Sequence, residues 1–163
     1  MPQKREEFVS RYGGIYEHSA WVAEQTWEVT GGIADADMLA DALAQCVDQA
    51  PRGRKLALIR AHPDLAGKAA MGGDLTEEST GEQAAAGIDH CSREEYAQFQ
   101  SLNAQYKEKF GFPFVMAVRN SKRNDILGAF AQRLQHDNET EFATAISEIH
   151  KIARWRLEAM DRP

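Results

Sequence analysis

His62, followed by Pro63 and Asp64, stands about twenty residues before a Ser-x-x-Glu-Gln cluster, Ser79 to Gln83, with glycines between them. A histidine titrates near neutrality, and one held between a helix end and a proline suits general acid or base work. Glu82, with Ser79 and the Gln83 amide nearby at a helix start, forms a polar, positively biased pocket for an anionic or carbonyl-rich ligand. Arg156 is the third candidate, a cation that can hold a carboxylate by a two-pronged hydrogen bond. The backbone from Phe114 to Ala117 is the fourth. Each has a plainer reading. His62 can be an ordinary loop histidine, and Ser79 with Glu82 a capping box. Arg156 can snorkel or pair with a buried carboxylate, for which Glu82 is the natural partner.

The elements that must position these groups are helical. Ser19 precedes Trp21, Val22 and Trp27, so a loop around Gly13-Gly14 leads into a short helix that Gly31-Gly32 ends. Asp35 or Asp37 caps the next helix, where Met38, Leu39, Ala42, Leu43, Cys46 and Val47 make one apolar face. Pro51 suits the first turn of a third helix that carries Leu56, Leu58 and Ile59 toward His62, and Pro63 stops it there. Ser79 and Glu82 open a short Ala-rich helix, and Ser92 with Glu95 repeats the capping pattern. The helix after Ser92 carries Tyr96, Phe99, Leu102, Tyr106 and Phe110, and Gly111 closes it. Phe112 to Val118 is a short apolar run that suits a buried extended segment rather than a helix, the one strand-like stretch of the chain. Ile126, Leu127, Phe130 and Leu134 mark a further helix that ends near His136.

The last helix, Glu139 to Met160, has a stripe of Phe142, Ala145, Ile146, Ile149, Ile152, Ala153, Leu157 and Met160. At about 100° per residue Arg156 falls inside that stripe, whereas Arg154 points to solvent. The expectation is an all-α, compact single-domain bundle over residues 1–163, with roughly seven to nine helices.

Several function classes are excluded or disfavoured. A net charge of −6, with basic residues scattered, lacks the basic face that holds phosphates, so no nucleic-acid partner is expected. No window approaches a membrane span and the start lacks a signal peptide's apolar core, which points to a cytoplasmic protein. Cys46 and Cys91 read as buried free thiols in a reducing compartment. His18, His90, His136 and His150 have no ligand spacing, so no metal is expected. The paired glycines are turns, since no strand precedes them as a dinucleotide fingerprint requires.

The chain resembles the 2-oxo-4-hydroxy-4-carboxy-5-ureidoimidazoline (OHCU) decarboxylase family of urate breakdown. The resemblance rests on Gly13 to Ser19 with Trp21-Val22-Ala23, on Ala61 to Gly67, on Leu75 to Ser79 with Gly81-Glu82-Gln83, on Leu102-Asn103 through Tyr106 and Lys109 to Phe114, and on Arg156-Leu157. It implies an all-helical enzyme without cofactor or metal, commonly a homodimer, that forms (S)-allantoin from a small-molecule substrate with loss of carbon dioxide. It also implies that His62, Glu82 and Arg156 are catalytic, and that Pro63, Ser79, Gln83, Phe114 and Val115 bind substrate. The terminal helix also offers Arg154 for the arginine role, and the stripe favours Arg156. Eukaryotic members often end in a peroxisomal signal, which Met160 to Pro163 is not, in keeping with a cytoplasmic, bacterial-type member.

The implied chemistry suits these residue types. The departing carboxylate sits beside a ring C=N that can take the electron pair, so no external electron sink is needed. The protein must orient the scissile bond, protonate as charge develops, and deliver the proton to one face. Which of His62 and Glu82 performs which proton step stays open. A competing reading makes His62-Pro63-Asp64 the interaction loop of a co-chaperone J-domain, after a helix with Arg52, Arg54, Lys55 and Arg60. The chain is more than twice the usual J-domain length, and that domain's first-helix pattern is missing.

Overall fold

A computed structural model of the chain describes residues 4–33, 35–62, 92–118 and 121–160, and among these every regular element is an α-helix. The chain is all-α, and it forms two compact units, Met1–Ala61 with Ile149–Pro163, and His62–Glu148.

The first unit contains α1 (Arg5–Tyr12), α2 (Trp21–Thr30), α3 (Ala36–Asp48), α4 (Arg52–Ala61) and the later part of α7 (Asn138–Met160). Helix α1 departs from the expected loop. Its one fully buried side chain is Phe8, which meets Trp27 of α2 at 5.5 Å, too sparse a stripe to show as a periodicity. Glu6 and Glu7 in its first turn and Arg11 in its last complement the helix dipole. Gly13 then turns the chain so tightly that a Cβ there would lie 2.6 Å from the Val9 carbonyl oxygen, which only glycine tolerates. Of the two possible caps on α3, Asp35 is the one used: its Oδ1 accepts from the Met38 amide at 2.9 Å. The inward row of α3 is Leu39, Leu43 and Val47 with Ala40, while Met38 is exposed. Pro51 sits just before α4, its carbonyl accepting from the Arg54 and Lys55 amides. Leu58 and Ile59 bury that helix, and it stops at Ala61 as Pro63 requires.

The second unit holds α5 (Arg93–Phe110), α6 (Arg123–Arg133) and the first part of α7. Ser92 and Glu95 form the expected capping box, with side-chain to amide distances of 3.1 and 3.0 Å. Gly111, at φ 79°, ends α5 in the left-handed conformation. The core is aromatic. Tyr106 touches Phe110, Phe112, Phe114 and Phe130, and Phe114 stacks on Phe130 with centroids 3.7 Å apart. The run from Phe112 to Val118 is buried but joins no sheet; no strand occurs among the described residues. Two of its polar backbone groups are met by side chains, Glu148 Oε1 accepting from the Ala117 amide at 3.2 Å and the Val115 carbonyl accepting from Arg133, while the Val118 carbonyl accepts from the Ser121 amide at 3.0 Å. No described helix is long and apolar enough to cross a membrane.

Candidate active site

His62 follows the last residue of α4, in a bend, and is only 8% exposed. The two residues that fix its approach, Leu58 and Ile59, are fully buried, so the helix end that carries the imidazole is anchored. Pro63, Ser79, Glu82 and Gln83, with the Ala-rich helix expected after Ser79, lie outside the described residues, as does Cys91. Cys46 is half-buried rather than buried; its thiol lies 3.5 Å from the Gln25 side-chain oxygen and burial pushes its pKa up.

In the first unit Arg156 turns inward as its place in the stripe requires and is 7% exposed, while Arg154 lies at the surface beside Asp41. The described carboxylate partner of Arg156 is Glu17, at 2.7 Å from Nη2, a residue that sequence reasoning did not single out. Nη1 also faces the carbonyls of Gly14 and Ile15, each at 3.4 Å. The loop between α1 and α2 is thereby tied to α7 on one side. On another it is tied through Tyr16, whose hydroxyl lies 2.8 Å from His150 Nδ1, with Asp48 Oδ1 2.9 Å from the opposite ring nitrogen. With the imidazole neutral, Asp48 keeps the proton on Nε2 and leaves Nδ1 to accept from Tyr16. Ser19 donates to the Glu17 carbonyl at 2.8 Å. His18 takes a φ of 48°, left-handed backbone that costs a non-glycine residue on the order of 1 kcal/mol.

In the second unit Phe114 and Val115 are both buried and both answer to Arg133. Its guanidinium lies 4.3 Å from the Phe114 ring centroid and donates from Nη1 to the Val115 carbonyl at 2.7 Å. Nε donates to Glu141 Oε1 at 2.8 Å, and Glu141 is 0% exposed. Tyr106 donates its hydroxyl to the same oxygen, and His136 Nδ1 lies 2.9 Å from the other. Arg133 and Glu141 were missed in the sequence, though the signal was there. Arg133 continues the Ile126, Phe130 row at i+3, and Glu141 precedes Ala145 by four, the same inward-charge pattern that reveals Arg156. Among the described residues no group of three His, Cys, Asp or Glu side chains is placed to hold a metal ion.

Two buried tyrosines yield an alkaline prediction. Burial, then the Asp48 charge, raises Tyr16 above its ordinary 10.0; burial, then the hydrogen bond to Glu141, raises Tyr106 likewise. The unfolded chain therefore releases these protons first. Their contribution to stability is whole below about pH 10 and is lost as pH rises toward the higher folded values, at up to about 1.4 kcal/mol per pH unit for each. Urea unfolding from pH 9 to 11 should show this fall, and a Tyr16→Phe/Tyr106→Phe variant should flatten it; an equally steep variant would refute the assignment.

Residues 2–158 match the family model described as OHCU decarboxylase. The chain belongs to the OHCU decarboxylase family. The OHCU decarboxylase of Haloferax volcanii is 44% identical over 152 residues, which are 93% of this chain and 88% of that protein. A crystal structure of (S)-allantoin synthase superposes with a TM-score of 0.76 at 35% identity, covering 96% of this chain and half of that one. A crystal structure of OHCU decarboxylase in the presence of (S)-allantoin gives a TM-score of 0.75 at 20% identity, a likeness of fold, over 97% of this chain and 98% of the other. Family membership makes the chain a decarboxylase of urate degradation and settles the competition with a J-domain, since the match runs through both units.

Proposed function

We propose that the chain decarboxylates 2-oxo-4-hydroxy-4-carboxy-5-ureidoimidazoline and releases (S)-allantoin, with His62 handling the proton and Arg156 holding a substrate carboxylate or carbonyl. The observation that carries this reading is the family match over residues 2–158, within which the catalytic residue types implied by the resemblance all occur. Two features of the structure support it. His62 is buried at an anchored helix end, where a proton donor is held in one place. Arg156 brings a guanidinium to an inward face, where low local dielectric strengthens its hold on an anion.

In the proposed reaction the bond to the carboxylate breaks, its electron pair enters the adjacent ring C=N, carbon dioxide leaves, and a proton delivered to one face sets the S configuration. Glu82 orients the substrate's hydroxyl and ureido groups or the histidine. Pro63, Ser79, Gln83 and the Phe114-Val115 segment bind the rest. The ring C=N serves as electron sink, so this route calls for no cofactor or metal. Residues 1–163 act as a single catalytic domain, in a cytoplasmic homodimer, with neither nucleic acid nor membrane as partner; the negative net charge and the family resemblance support that form.

The test supplies freshly generated substrate from urate oxidation and follows the optical activity of the allantoin formed. Dextrorotatory product appearing faster than the buffer reaction is expected. Racemic product at the buffer rate would overturn the proposal.

A further inference from the structure

We infer that Glu17 is a positioning residue for the reaction: it fixes the guanidinium plane of Arg156 and so sets the grip on the substrate. The inference rests on the proposed role of Arg156 as the substrate-holding cation.

Three observations carry it. The Glu17 carboxylate is buried and lies 2.7 Å from Arg156 Nη2, a charge-assisted contact between groups removed from solvent. A guanidinium has five donors in a rigid plane, so an acceptor on Nη2, with the Gly14 and Ile15 carbonyls at Nη1, determines which way its remaining edge faces. The loop that presents Glu17 is over-determined for a mere surface connection. Tyr16 on one side is bound to His150, the Glu17 carbonyl is bound by Ser19, and His18 on the other side is held at a φ of 48°. Backbone strain that persists under such constraint marks a place where geometry matters. It turns the Glu17 side chain inward while leaving the His18 ring largely exposed. Ligand-holding groups keep their aim through such supporting contacts, and a displacement of about 1 Å can cost up to about 100-fold in rate.

The opposite sign is physically available, because a carboxylate on the guanidinium competes with an anionic substrate for it. The experiment separates the two. Glu17→Asp keeps the charge that the buried arginine needs but withdraws the carboxylate by one methylene; Arg156→Lys keeps the cation but discards the plane. Steady-state kcat and KM are measured for both variants and for the double variant, with melting temperatures alongside. Glu17→Asp is expected to lower kcat/KM about 10- to 100-fold, chiefly through KM, and to cost less than about twofold further in the Arg156→Lys background. A Glu17→Asp variant with unchanged or lower KM, or with equal losses in both backgrounds, would overturn the inference while Arg156→Lys remains impaired. An Arg156→Lys variant with full activity would instead overturn the role of Arg156 itself, and the inference with it.

Discussion

Replacing His62 by Asn is expected to leave a folded protein whose turnover falls about 100- to 10,000-fold, toward the uncatalysed rate. Asparagine keeps a polar side chain of comparable reach but cannot exchange a proton near neutral pH, so the change removes proton transfer and little else. Local structure should survive because Leu58 and Ile59, both fully buried, anchor α4. Circular dichroism should therefore match the parent, while the rate of allantoin formation collapses and the residual product loses its handedness. A variant that turns over within a few-fold of the parent would end the assignment of His62 as the proton-handling group, whatever happened to the rest of the site.

The largest effect on stability is expected at Glu141. Replacing it by Ala leaves Arg133 charged in the interior and deprives the Tyr106 hydroxyl and His136 of their acceptor. Breaking a buried pair from one side costs about 3–5 kcal/mol, because the abandoned charge keeps its desolvation penalty. For a domain of this size that corresponds to a fall in melting temperature of roughly 10 °C. Removing both charges is gentler: Arg133→Met combined with Glu141→Gln should recover much of the loss, since neither charge is then left alone in the core. Thermal melts of the three proteins decide the matter, and a Glu141→Ala variant melting within about 2 °C of the parent would contradict it. Arg133 also holds the Val115 carbonyl and covers the Phe114 ring, so KM is expected to rise when Arg133 is lost, even in the stabilised double variant.

Some of this architecture was readable from local chemistry. A capping box needs only Ser92 and Glu95 at the right spacing, and a left-handed helix end needs only Gly111; both stand where the pattern puts them. The stop of α4 before His62 follows from a steric clash between Pro63 and its neighbour. The inward turn of Arg156 follows from a helical period counted over seven and fourteen residues from Ile149 and Phe142. Where the signal was thin the reading departed from the structure. Helix α1 buries a single side chain, and one aromatic makes no period. Phe112 to Val118 is buried and non-helical as expected, but its strand-like density joins no ladder: the Ala117 amide and the Val115 carbonyl are met by the Glu148 and Arg133 side chains.

The sequence by itself determined the fold class, the helix punctuation, the family and the residue types of the reaction, because periodicity, caps and motif order are properties of neighbours along the chain. Only the tertiary structure decided which charges meet. Glu17 finds Arg156 across a sequence separation of 139, and Arg133 and Glu141 close on each other around Tyr106. A buried charge must be compensated by whichever opposite charge the packing brings within hydrogen-bond reach, and that choice depends on three-dimensional proximity. The capping and period rules that reveal a helix carry no term for it.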